Sequence, residues 1–202
     1  MSHAPDSPDR RRIQILEAGL ETFSRHGYRK AALDDVARSA GISRQGLYLH
    51  FPNKATLFRS VLEFELDRAL LAAAQSLDDQ EIPPAERLTR ALDIWLGRYV
   101  GSEIDRDIDS LAAENGGFLE NMFEEYHVAF EQRLTAALTS MEPPGSATAS
   151  QVSVASTVST QMAVRVLIAV ARGLKGHVRT REEFSEVASA TVGLVLSQLG
   201  VQ

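Results

Sequence analysis

Apolar side chains return at every third or fourth position along most of this chain, and Gly, Pro or Asn marks the places where the rhythm stops. A repeat near 3.6 residues buries one face only when the backbone is helical, so the pattern predicts amphipathic helices. Ile13, Leu16, Leu20 and Phe23 set the first, from about Arg10 to His26, with Gly27 ending it after the basic Arg25 and His26. A second runs from Leu33 to Ala40 with Leu33, Val36, Ala37 and Ala40 inward; Gly41 follows, and Ser43 is placed to cap a third from Arg44 to His50. Pro52 forces a break after Phe51, and Asn53 can cap a long helix from Lys54 to about Leu77.

Beyond Pro83 and Pro84 the face resumes as Leu88, Leu92, Trp95, Leu96 and Tyr99, stopping near Gly101. A shorter segment, Glu103 to Glu114, ends at Asn115-Gly116-Gly117, which is strong stop chemistry. Phe118 to Met141 is the next helix and Glu142 to Ala149 a loop; two more helices follow, about Gln151 to Val178 and Arg181 to Leu199. The β-branched cluster from Val152 to Val158 keeps helical periodicity, and no segment reads as a strand. The predicted fold class is all-α, with residues 1–9 a disordered tail, residues 10–56 a three-helix head and residues 57–202 a larger helical body.

Composition narrows the function classes. The absence of cysteine excludes disulfides, thiolate metal sites and cysteine nucleophiles. Met1 to Asp9 is polar and Pro-rich with no apolar stretch behind it, so no signal peptide is expected. The most apolar stretch, Met162 to Leu174, is interrupted by Arg165 and Arg172 and is too short for a bilayer. A cytoplasmic protein with no membrane contact is expected. The net charge of -6 hides a split: Met1 to Thr56 holds 9 Lys and Arg against 6 Asp and Glu, and the remainder 12 against 21. A weakly basic head on an acidic body suits phosphate contact at one end, although so small an excess can also arise by chance.

Two short helices one Gly turn apart form a helix-turn-helix pattern. In the second of them Leu47 and Phe51, four residues apart, face inward, leaving Arg44, Gln45, Tyr48 and Leu49 outward. Arg can donate to guanine O6 and N7 and Gln to adenine N6 and N7, so the exposed end of this helix carries base-reading chemistry. Tyr48, His50 and Lys54 suit phosphate oxygens, and Lys54 opens a helix whose N-H groups favour an anion.

Over roughly Ile13 to Leu62 the chain resembles the TetR family of regulators: Phe23, Gly27, Ala37, Gly41, Ser43, Leu47, Tyr48, Phe51, Lys54 and Leu57 fall where the family pattern places them. The resemblance implies an all-α homodimer that binds double-stranded operator DNA, with an effector cavity inside the larger domain. It assigns DNA contact to Ser43, Arg44, Gln45, Gly46, Tyr48, His50 and Lys54. One departure stands out. Ala31 and Ala32 occupy positions where the family usually has a hydroxyl touching phosphate, and Asp34 and Asp35 add negative charge to the same helix start. The run Arg10-Arg11-Arg12 can compensate as a basic arm or can be a solvated charge run.

In the body, Trp95, Tyr99, Phe118, Met122, Phe123, Tyr126 and Phe130 concentrate aromatic and flexible apolar side chains. Such a stripe can be plain core. With the resemblance it becomes a candidate lining for a mainly apolar organic effector, with Arg98, Tyr99, Tyr126 and His127 as polar fixers. Glu120, Glu124 and His127 share a helical face, but the second motif of a carboxylate metal site is absent, so neither metal nor cofactor is expected. No His has an accompanying nucleophile motif and no Gly-rich phosphate loop is present, so an enzyme is not expected. Small residues recur in the last two helices at Ala155, Ser159, Ala163, Ala169, Ala171, Gly173, Ala188, Ala190 and Gly193. With Val187, Thr191, Leu194 and Leu199 they can form a self-complementary dimer surface, or serve internal packing alone. The functional expectation is a repressor released from a palindromic operator by its effector; the alternative is an architectural DNA-binding protein using the same head without an inducer.

Overall fold

The computed structural model describes residues 8–98, 100, 118–141 and 159–201. The segment expected at Glu103 to Glu114, its Asn115-Gly116-Gly117 stop, the loop from Glu142 to Ala149, Tyr99, and residues 151–158 lie outside the described residues. All regular structure among the described residues is helical: α1 (Pro8–Lys30), α2 (Leu33–Ser39), α3 (Arg44–His50), α4 (Lys54–Asp78), α5 (Pro84–Leu92) continuing into a π-helical turn (Asp93–Gly97), α6 (Phe118–Met141), α7 (Thr160–Lys175) and α8 (Arg181–Leu199). The chain divides into two compact units, one holding residues up to Asp67 together with the start of α6 to Met122, the other holding residues 68–98, 100 and everything from Phe123 onward.

In the first unit α1 packs on α2 and α2 on α3. The buried face of α1 is rotated from the expected one. Ile15, Leu16, Ala18 and Phe23 are buried, whereas Ile13 is 44% exposed, because Leu16, Thr22 and Phe23 set the phase and Ile13 falls beyond its edge. Gly27 breaks the helix as its position predicts, at φ 70 and ψ 166, although helical bonding resumes to Lys30. Val36, Ala37, Ala40, Leu47, Phe51, Leu57, Phe58 and Val61 complete this core. Phe58 meets Phe23 edge to face at 5.0 Å between centroids and Tyr28 at 4.8 Å.

In the second unit Arg87, itself buried, donates Nε to the carbonyl of Leu77 at 2.8 Å and so satisfies the end of α4. The face expected as one continuous helix past Pro84 instead widens at Leu92 into the π turn, which keeps Leu88, Leu92, Trp95 and Leu96 all buried. A Cβ on Gly97 would lie 2.6 Å from Phe184 Cδ1, so only glycine allows the π turn to sit this close to α8. Asp93 clamps the same junction: the single Nε-H of Arg181 is shared between the two carboxylate oxygens at 3.0 Å, and Nη2 donates to Oδ2 at 2.5 Å. The helix expected from Gln151 starts instead at Thr160. Ser159 is extended there and its Oγ accepts from Met162 N at 3.3 Å, which makes it an N-cap rather than a mid-helix residue. No helix among the described residues is long and apolar enough to cross a membrane.

Candidate nucleic-acid interface

The geometry of the head follows from three local devices. Gly41 holds φ 63, the left-handed conformation that lets α2 turn into α3 in so few residues. Ser43 Oγ accepts from Gly46 N at 3.0 Å and opens α3; Asn53 Oδ1 accepts from Thr56 N at 2.8 Å and opens α4. Leu47, fully buried, and Phe51, 1% exposed, then pin α3 to the core.

That anchoring presents Arg44, Gln45, Tyr48 and Leu49 outward and leaves Gly46 and His50 half-buried. Leu49 is 84% exposed, the most exposed large apolar residue of the head. Arg44 is not a loose cation. Its Nε stands 3.2 Å from Asp34 Oδ1 and its Nη1 donates to Asp34 Oδ2 at 3.2 Å, while the guanidinium carbon lies 5.7 Å from the Tyr48 ring centroid. Tyr48 and Asp34 both raise the already high pKa of Arg44. Beside α3 an open depression of about 340 Å³ is lined by Arg11, Gly41, Ile42, Ser43, Gly46, Leu49 and His50.

The remaining basic residues of the head divide. Lys54 Nζ donates to the carbonyl of Arg29 at 3.1 Å and lies 4.7 Å from the Tyr28 ring centroid, so one of its three N-H donors serves the fold. Arg12 donates to Ser60 Oγ at 3.2 Å and lies over Phe51, and Arg10 to Arg12 all belong to α1 rather than to an extended arm. Asp35 pairs with Arg38 on its own helix at 2.9 Å. The N-cap of α2, Ala32, makes no side-chain cap, as the missing hydroxyl predicts.

Of the body residues singled out by composition, Trp95, His127 and Phe130 come together. Trp95 Nε1 donates to His127 Nδ1 at 3.2 Å, and the indole stacks on Phe130 at 5.1 Å between centroids. The bond fixes the neutral tautomer, with the remaining proton on Nε2. Burial, then the nearby charges of Arg172 and Lys175, push the His127 pKa down to about 4. Phe123, Tyr126 and Arg98 are half-buried, and Met122 is buried in the first unit. Tyr99 and the side chain of Phe118 lie outside the described residues.

Two seven-residue helices joined at a left-handed glycine, the second with a polar outer face, define a helix-turn-helix head. That head is similar to the TetR family: residues 15–61 match the model for bacterial regulatory proteins of the tetR family. Among its relatives, the transcriptional activator FasR of Mycolicibacterium smegmatis is 39% identical over 34% of this chain and 32% of its own length. The transcriptional regulator TtgR of Pseudomonas putida is 30% identical over 56% of this chain and 54% of its own length. The chain thus spans between a third and about half of these relatives. A crystal structure of a transcriptional regulator from Rhodococcus sp. Rha1 shares the fold with a TM-score of 0.67, covering 95% of this chain and 98% of that one at 18% identity.

Two residues of the exposed face were not among those assigned to DNA from the sequence. Leu49 carried a signal, since its position on α3 already places it outward. Asp34 carried none for the contact it makes, because its partner lies ten residues away on another helix.

Proposed function

We propose that the chain is a transcriptional regulator that binds double-stranded operator DNA through α3, as a homodimer, and that a small molecule held in the body controls the binding. The observation that supports this best is the outer face of α3. Arg44 and Gln45 stand at its N-terminal end with base-reading donors, Tyr48 and Leu49 follow on the same side, and Leu47 and Phe51 fix the helix from behind. Leu49 supplies apolar contact for a thymine methyl. Ser43, Gly46, Tyr48, His50 and Lys54 serve phosphate oxygens, with Arg11 at the rim of the adjoining depression.

Dimerisation through α7 and α8 is supported by a sorting of their small residues. Ala163, Ala171 and Ala188 are buried within the unit, but Ala169, Gly173, Ala190 and Gly193 are exposed beside Met162, Val166, Val187 and Leu194. Spacings of 162, 166, 169, 173 and 187, 190, 194 form one stripe on each helix. A Cβ on Gly173 or Gly193 would meet nothing within 4 Å, so internal packing does not require either glycine, whereas close approach of a second subunit would. A two-fold dimer places two recognition helices on half-sites about 34 to 36 Å apart, or a multiple. For the effector, half-buried Phe123 and Tyr126 offer aromatic surface, and neutral His127, held by the buried Trp95 that stacks on Phe130, offers an Nε2-H to a hydrogen-bond acceptor, with Arg98 as a further fixer. Its release of the operator, as in a repressor, is part of the proposal.

The test is selection of bound duplexes from a random pool at two salt concentrations, comparing the natural chain with a Gln45→Ala, Tyr48→Ala double variant. Enrichment of one palindrome by the natural chain alone is the expected result. No enrichment, or equal enrichment by both proteins, sinks the reading.

A further inference from the structure

We propose that Asp34 is a positioning residue that sets the base preference of Arg44; the proposal rests on the reading of α3 as the recognition helix. Asp34 and Asp35 stand side by side in the first turn of α2, where either carboxylate complements the helix dipole. Only Asp35 stays on its own helix, paired with Arg38. Asp34 reaches across to α3 and meets Arg44 with two contacts, Nε to Oδ1 and Nη1 to Oδ2, each 3.2 Å.

A guanidinium carries five N-H donors on three nitrogens. The carboxylate accepts from Nη1 and stands beside Nε without taking its proton; because the Nε-H points to the side of Nη2, a second edge, formed by Nε and Nη2, is left. That second edge is the fork that matches guanine O6 and N7. The Tyr48 ring, 5.7 Å from the guanidinium carbon, bounds the group on another side. Both charged partners are more than half exposed, so the pair adds little to folding stability and its consequence is one of orientation.

The same carboxylate also puts a negative charge beside DNA, which weakens binding to every sequence alike. The two effects of Asp34 therefore have opposite signs: it raises discrimination and lowers general affinity. A residue that merely supported the head would, when replaced, lose both.

The experiment takes the duplex enriched by the natural chain, exchanges each guanine-containing base pair in turn, and measures affinity for the natural chain, Asp34→Asn, Arg44→Ala and the double variant. Expected for Asp34→Asn is a loss of about tenfold in preference at one base pair of each half-site, with equal or tighter binding to an unrelated duplex. In the Arg44→Ala background the Asp34 change leaves the preference at that pair untouched. Asp34→Ala repeats the measurement with a second replacement, and thermal unfolding checks that each variant keeps its fold. Full preference retained by both Asp34 variants overturns the proposal, as does an equal loss with Arg44 absent. Failure of the natural chain to enrich any duplex removes the α3 reading and this one with it, whereas an enriched duplex with an unaltered Asp34→Asn profile removes this one alone.

Discussion

Ser43 shows how far one residue can be read without its surroundings. Its hydroxyl accepts from Gly46 N, and a seven-residue helix has too few internal bonds to stand without such help. Ser43→Ala is expected to cost about 1 kcal/mol, measured as a shift in urea unfolding with an unchanged slope. The cap was legible because its signal is local: a hydroxyl, then an apolar residue four positions on. The ion pair between Asp34 and Arg44 was not, since nothing in the intervening residues fixes how α2 and α3 face each other. His127 is a second case. Its spacing marked it as polar, but its protonation depends on Trp95, 32 positions away, and on charges carried by α7. With a folded pKa of about 4, below the ordinary 6.5, the unfolded chain binds the proton more readily between those values. Stability from this group is therefore complete above pH 6.5 and is lost as pH falls toward 4. Allowing for the part of the ring that faces solvent, about 2 kcal/mol of the acid loss belongs to His127. Unfolding at pH 7.5 and 4.5 should show a smaller drop for His127→Gln than for the natural chain, and equal drops would remove the assignment.

Among the elements, the ones legible from periodicity were those whose ends carry their own punctuation. α3, α4 and α8 lie within a residue of the expected spans because Ser43, Asn53 and Thr180 cap their starts, and α6 matches its span because Gly116-Gly117 precedes it in the sequence and Pro143-Pro144 follows. The π turn at Asp93 and the start of α7 at Thr160 were not legible. The first depends on Phe184 and Arg181 in α8 meeting α5, and apolar spacing alone does not separate a π turn from an α turn. The second depends on one Ser among several in a Ser-rich stretch, any of which has the capping oxygen. The π turn makes a prediction of its own. Gly97→Ala would drive a Cβ to 2.6 Å from Phe184 Cδ1 and from Asp93 Oδ1, so the turn must shift or the helices part. A destabilisation of about 1 to 3 kcal/mol is expected, read by denaturant unfolding. Because the clash lies in the second unit, binding of the variant to unrelated duplex DNA below its unfolding transition should match that of the natural chain.

For the molecule as a whole, the all-helical fold class and the outward face of α3 follow from spacing, whereas the body's ligand chemistry does not. An aromatic residue lining a cavity and one filling a core obey the same helical period, and Trp95 stacked on Phe130 could be drawn from either population. Assembly lies between these cases. The sequence gathered buried and exposed small residues of α7 and α8 into one list, and only exposure separates Ala163 and Ala188, which hold the unit together, from Gly173 and Gly193, which face away from it. Leu194, 70% exposed at the C-terminal end of the outward stripe of α8, is the sharpest probe of that surface. Burying an apolar side chain of this size is worth about 1.5 to 3 kcal/mol, and a buried unpaired carboxylate in its place costs more. Leu194→Asp is therefore expected to give monomers in sedimentation velocity, with folding of each subunit retained, and to weaken binding to a palindrome far more than binding to a single half-site. Leu71→Asp supplies the comparison, because Leu71 is also exposed, at 61%, but lies on α4 rather than on α7 or α8. A dimer that survives Leu194→Asp, or one lost equally with Leu71→Asp, would show that the stripe is ordinary surface.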